Sequence, residues 1–150
     1  MDNFLDAEAL LIAHLTAALG EKVRFVGSMA DMQTIEEQSQ RTPAVYVVYD
    51  GYTPGQTTTE SRVAEIKQRW LVIVAVRNVS GVHTGAAARE DAGEVLAHLF
   101  PALQAYRPSA GHSRLTLVPP PPAVYRAGFA YIPTAWETNI VSHHNRSNTT

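Results

Sequence analysis

The sequence predicts an α+β fold: a single domain with a mostly antiparallel mixed sheet, two main helices packed on one face, and a long β-hairpin. Three observations carry that prediction. Residues 44–50 and 70–76 are apolar on both sides once alternate residues are assigned to opposite faces of an extended strand. Residues 4–19 and 85–106 each show one apolar stripe at helical spacing. Residues 51–61, between two strong strands, are rich in Gly, Pro, Thr and Gln, which suits a hairpin with a mobile tip.

The first helix, residues 4–19, places Phe4, Ala7, Leu11, Leu15 and Ala18 on one side, with Leu5, Ile12 and Leu19 alongside. Asn3 is a suitable N-cap and Gly20 a natural stop. Residues 22–26 read as a short strand ending at Gly27. Residues 28–37 are polar and fit a helical turn or two, capped by Ser28 or Asp31, and residues 38–42 are a loop. Pro43 introduces the second strand, with Val45, Val47 and Tyr49 opposite Ala44, Tyr46 and Val48.

The third strand spans residues 62–77. Its first half alternates, Ala64, Ile66 and Trp70 against Glu65, Lys67 and Arg69, and only its second half is apolar on both sides. Residues 79–84 form a linker ending in Thr84, a helix-capping residue type. The second helix buries Ala88, Ala92, Val95, Leu96, Leu99 and Leu103, while Arg89, Glu90 and Glu94 face water. Pro101 should kink or interrupt it, because an interior proline loses a hydrogen bond and clashes with the preceding turn.

Residues 114–118 read as a strand. The proline run at 119–122 must be an extended crossing, since proline cannot join a central ladder. Residues 124–132 and 135–141 form a last strand, or two broken at Pro133. The domain is expected to occupy residues 1–141, and residues 142–150 to form a disordered polar tail. If both helices take one face of the sheet, the apolar residues of the other face point at a partner. Leaving Leu71 or Ile73 exposed would forgo roughly 1.5–3 kcal/mol each.

Composition excludes several function classes. There are no cysteines, hence no disulfides, no thiolate nucleophile and no Cys-ligated zinc. A formal net charge of -2, with basic residues scattered along the chain, argues against sequence-specific nucleic-acid binding. No apolar run approaches the roughly 18 residues of a membrane span, so no membrane partner is expected. The acidic N-terminus does not look like a signal peptide, which points to synthesis in a cytoplasm.

Chemical motifs are absent or better read as structure. His14 and His98 lie on helices, His83 and His112 in loops, and His143 and His144 in the tail, without metal-ligand spacing. Glu90 and Glu94 are one helical turn apart on a solvated face, with no acidic pair elsewhere to complete a metal site. Residues 81–85 precede a helix but lack the lysine and glycine spacing of a phosphate loop. No serine elbow occurs. No cofactor, metal or catalytic residue is assigned.

Taken in order, the segments resemble a known family. They are Phe4-Leu5-Asp6-Ala7-Glu8-Ala9-Leu10-Leu11, Val23-Arg24-Phe25-Val26-Gly27-Ser28 and Thr42-Pro43-Ala44-Val45-Tyr46. They continue with Gln68-Arg69-Trp70-Leu71-Val72, Thr84-Gly85-Ala86-Ala87-Ala88 and Tyr125-Arg126-Ala127-Gly128-Phe129-Ala130-Tyr131-Ile132-Pro133. The series resembles the tail terminator proteins of long-tailed bacteriophages and their prophages, including the Mu-like group, over roughly residues 4–141.

That resemblance implies a non-enzymatic virion protein. Such proteins form a homohexameric ring on the finished tail tube, end its polymerisation and supply the surface that joins the head. The implied partners are other copies of the chain, the tail tube protein and the head–tail connector protein. The implied place is the head-proximal end of the tail, after assembly in the host bacterial cytoplasm. Candidate contact residues for subunit or tube are Tyr52, Thr53 and Pro54 of the hairpin, the strand face Glu65, Lys67 and Arg69, and the last-strand aromatics Tyr125, Phe129 and Tyr131. Two alternatives stand beside this: a head-closure or tail-completion connector, and a small hydrolase using His83 or His112 with Asp50 or Glu90.

Overall fold

Among the described residues six strands make one sheet, in the order β1-β2-β3-β6-β4 with β5 paired to β6 outside that path. The computed structural model describes residues 2–28, 30–31, 40–77 and 86–145. In chain order the elements are α1 (Ala7–Leu19), β1 (Phe25–Ser28), β2 (Ala44–Thr57), β3 (Val63–Arg77), α2 (Ala86–Leu103), β4 (Thr116–Val118), β5 (Val124–Arg126) and β6 (Phe129–His143). β1 runs parallel to β2, and the other pairings are antiparallel. The expected α+β class holds.

Ala7, Leu11, Leu15 and Leu19 of α1 are all buried, a spacing of four that keeps them on one stripe. Asn3 closes a turn ahead of the helix, its Oδ1 accepting the Leu5 N–H at 2.9 Å, and the helix proper starts after Asp6. Gly20 ends it at φ +53, its N–H bonded to the Thr16 carbonyl. Residues 20–22 then form a 3₁₀ turn, which delays the first strand to Phe25–Ser28. The polar segment expected at 28–37 falls mostly outside the described residues, as does the linker at 79–84.

α2 packs beside α1 through Ala92, Val95, Leu99 and Leu103. His14 ties the two together, its ring stacked on Tyr106 at 3.6 Å and its Nε2 donating to the Ala102 carbonyl at 2.8 Å. Pro101 does not interrupt the helix, which runs to Leu103. So near the end, its missing N–H removes a single bond of the last turn.

Beneath the helices lie Val45 and Val47 of β2, Trp70, Val72, Val74 and Val76 of β3, and Ala130 and Trp136 of β6. Trp70 and Trp136 are register partners. Each indole N–H is satisfied, Trp70 by Gln68 Oε1 at 3.3 Å and Trp136 by Thr134 Oγ1 at 2.8 Å. These buried polar residues are themselves anchored, Gln68 donating to the Phe4 carbonyl and Thr134 to the Val72 carbonyl.

The opposite face corrects an expectation. Ala44, Tyr46, Val48 and Ala75 are buried within the chain, with Phe25, Leu71, Ile73 and Tyr131 half-buried against them. Tyr46 donates to Gln40 Oε1 at 2.8 Å, and Gln40 Nε2 donates to the Tyr131 hydroxyl at 3.2 Å. Burial, reinforced by the neighbouring Tyr131 and Asp31, pushes the Tyr46 phenol up to about 12. The apolar surplus on this face is therefore smaller than a bare sheet would leave.

Two further differences concern strand continuity. Residues 124–132 do not form one strand: β5 turns at Ala127 and Gly128 into β6, both turn residues having positive φ of 52 and 81, as a two-residue hairpin requires. β6 then runs unbroken through Pro133 to His143. Its outer edge pairs β5 up to Tyr131 and β4 from Ala135. Pro133 falls in the gap between them, where a missing N–H is tolerated. Ser142 and His143 pair with Ala64 and Val63, so the ladder extends past the expected domain end at residue 141.

Candidate functional site

The sheet outgrows its helices. β2 keeps pairing with β3 as far as Thr57 opposite Ala64, so most of the expected loop at 51–61 is strand. The tip is a tight turn, with Ser61 N–H bonded to the Thr58 carbonyl and Val63 N–H to Thr58 Oγ1. Together with the end of β6, it forms a three-stranded ribbon that projects beyond the helix layer.

A bulge sets how the ribbon presents its side chains. Register slips between Tyr49, opposite Trp70, and Tyr52, opposite Gln68. Residues three apart on an ideal strand face opposite sides, but the extra residue puts both tyrosines on the helix side. Gly51, at φ +93, supplies the conformation. Phe4 sits edge-on to both rings, at 6.0 Å from Tyr49 and 5.9 Å from Tyr52. Tyr52 nevertheless stays 56% exposed.

The nine sequence-derived contact candidates divide into separate groups. Tyr52 and Pro54 lie on the helix side of the ribbon, and both are exposed. Thr53, Glu65, Lys67 and Arg69 lie on the other side; Thr53 is exposed and the remaining three are half-buried. Arg69 is engaged inside the chain, donating from Nε to Asp50 Oδ2 at 2.8 Å and from Nη2 to the Pro119 carbonyl at 2.9 Å. It pins the proline crossing onto the sheet.

Tyr125, Phe129 and Tyr131 sit at the opposite end of the strands. Tyr125 is level with Val76 through its partner Ala130, and Tyr52 is level with Gln68. At about 3.3 Å per residue, the two groups lie roughly 26 Å apart along the strand. Tyr125 is 64% exposed, but Phe129 is only 1% exposed, under the Arg77 guanidinium at 4.7 Å. Its ring is core and offers no surface. Tyr131 is half-buried through its bond with Gln40.

Sequence reasoning missed a third apolar area. Leu117 is 49% exposed beside a groove of about 390 Å³ formed with Phe100, Pro119, Pro120 and Pro133. The available signal was the proline run after Val118, which marks β4 as an edge strand and leaves its apolar residues uncovered.

The enzyme alternative does not assemble as expected. Asp50 is held by Arg69, Glu90 is exposed on α2, and neither meets His112. His83 lies outside the described residues. His112 is buried, its Nδ1 2.7 Å from Ser109 Oγ, which also accepts the Gly111 N–H at 3.2 Å. That hydroxyl closes a local turn. His112 Nε2 lies 3.4 Å from Asp6 Oδ1 without hydrogen-bond alignment. Burial lowers the imidazole pKa, and the Asp6 carboxylate opposes part of that shift. Among the described residues no group of three or more His, Asp or Glu could hold a metal ion, and no helix is long and apolar enough to cross a membrane.

Comparison with known proteins adds two findings. A family model described as phage tail terminator protein matches residues 1–147. Among solved structures, a chain described as part of the virion of a native gene transfer agent particle is similar in fold, with a TM-score of 0.50 and 17% sequence identity. That likeness covers 92% of this chain and 95% of the other. No curated protein matches in sequence.

Proposed function

The chain belongs to the phage tail terminator family, a structural role in the virion, and from that premise we propose that it caps the tail tube as a homohexameric ring. A closed ring with cyclic symmetry needs two unlike patches on each protomer, set head to tail. The observation that supports the reading is a pair of exposed tyrosines far apart on one sheet. Tyr52 and Pro54 mark one end, and Tyr125 marks the other.

Each subunit contact in such a ring would bury roughly 800 Å² per partner. The ribbon is long enough to reach past the helix layer toward a neighbour or the tube. Seated on the last ring of tube subunits, the cap occupies the surface on which the next ring would dock, and polymerisation stops. Its outer side then meets the head–tail connector. The reading needs no catalysis and no cofactor, and assembly takes place in the host cytoplasm before incorporation at the head-proximal end of the tail.

Deleting the gene from the producing phage or prophage tests it. Tubes of uncontrolled length in electron micrographs are the expected result. Tubes of normal length would overturn the proposal.

A further inference from the structure

Two unlike features stand on opposite borders of the sheet. Among the described residues no strand pairs the outer side of β2 beyond Val47, and none pairs the outer side of β4. At the β2 border stands Tyr52, 56% exposed. At the β4 border lies the apolar groove of about 390 Å³, with Leu117 at its lip. Phe100 of α2 lines the groove and Phe4 touches Tyr52, so both features sit on the helix side.

Register places the two at nearly one level along the strands. Leu117 lies opposite Trp136, which lies opposite Trp70, while Tyr52 lies opposite Gln68. The offset along β3 is about 7 Å. The borders are also complementary in charge. Arg114 is exposed, and its Nη1 donates to the Ala105 carbonyl at 2.9 Å, with no carboxylate partner among the described residues. Asp50 accepts from Arg69 through Oδ2, which leaves Oδ1 without a partner there. Ser113 bonds Asn139, the partner of Lys67, and Asp50 sits in the bulge opposite Gln68 and Trp70, so these two charges also share that level.

We propose that Tyr52 of each copy enters the Leu117 groove of the next copy in the ring, and that Arg114 beside the groove reaches the incoming Asp50. The proposal rests on the ring reading and adds the contact that closes it. A closed ring has no rise from one subunit to the next, so groups that meet stand at equal height along its axis. With the strands along that axis, Tyr52 and the groove meet this condition to within a side chain's length. Tyr125, roughly 26 Å along the strand from Tyr52, does not. The chemistry fits as well: a tyrosine ring packs on Phe100 and the prolines while its hydroxyl stays at the wet mouth. A second copy is favoured over a tube or connector subunit because one chain carries both halves of the contact.

Cross-linking in assembled particles tests this. The photoreactive amino acid p-benzoylphenylalanine replaces Tyr52, which keeps an aromatic ring at that position, and the particles are irradiated. The expected product is a ladder of covalent homo-oligomers whose linked peptide comes from residues 114–120 of the next copy. Placed instead at Leu117, the same amino acid should link to residues 49–57, a reciprocal check should the first variant fail to assemble. Arg114→Glu, which sets a carboxylate against Asp50, should cut the yield severalfold, and Arg114→Lys should keep it. Unchanged thermal midpoints confirm that the Arg114 variants fold. A product with another virion protein, or with another segment of this chain, would overturn the proposal. If the ladder is absent from both positions while a lysine-reactive linker still gives homo-multimers, the groove contact fails and the ring stands. Absence of homo-multimers with both reagents sinks the ring as well.

Discussion

The same three strands behave differently at their two ends. Between Trp70 and Val76, β3 alternates buried helix-side residues with half-buried or buried ones on the reverse. Between Val63 and Arg69, the same strand, still paired with β6 throughout, leaves nearly every residue half-exposed. The β3–β6 ladder is unbroken through both regions, so that pairing does not separate core from surface. Side-chain composition and helix coverage do. Backbone register carries the ribbon outward, and the body supplies the rigidity that lets it project.

Mutation of the body should have the largest effect. Trp70→Ala removes a fully buried side chain and its register partner's packing, and should cost about 3–5 kcal/mol, read from the denaturant midpoint. A cost under about 1 kcal/mol would erase the distinction between body and ribbon. Next comes the bulge: Gly51→Val forces a β-branched residue to φ +93 and should cost about 1–3 kcal/mol. If it costs nothing, some other feature brings Tyr52 beside Phe4.

Ribbon and turn substitutions should be gentler. Tyr52→Ala forfeits only the edge-on contact with Phe4, about 0.5–1.5 kcal/mol. Tyr125→Ala should alter stability by less than about 0.5 kcal/mol. Both should nonetheless impair tail-length control in particles, a loss of assembly without loss of fold. Wild-type tail lengths in both variants would remove the two tyrosines from the assembly surface.

The smallest effect concerns the junction of body and ribbon, where His112 sits. Its folded pKa lies below the ordinary 6.5, so the unfolded chain takes up the proton first. Stability from this group is complete above pH 6.5 and falls as pH drops through 6.5 toward the lowered folded value. His112→Gln should flatten that part of the pH–stability curve. An unchanged slope would assign it to other groups.

How much of this was legible beforehand varied with the range of the interaction. The stripes of α1 and α2, the alternation of β3 and the apolar doubling of β2 come from periodicities of neighbouring residues, so they could be read directly. Phe129 shows the limit. Nothing local distinguishes it from Tyr125, yet register places Arg77 over one ring and solvent over the other. Pro133 shows it too, since whether a proline breaks a strand depends on whether that edge has a neighbour.

Sequence alone determined the class of fold, the helix faces and the family resemblance, because each is written in spacing along the chain. Tertiary structure alone decided which aromatics stay exposed, how Gly51 turns Tyr52 toward Phe4, and how Asp6 comes to face an unbonded His112 nitrogen. Those outcomes depend on contacts between residues far apart in sequence, whose geometry is set only when the strands take their register.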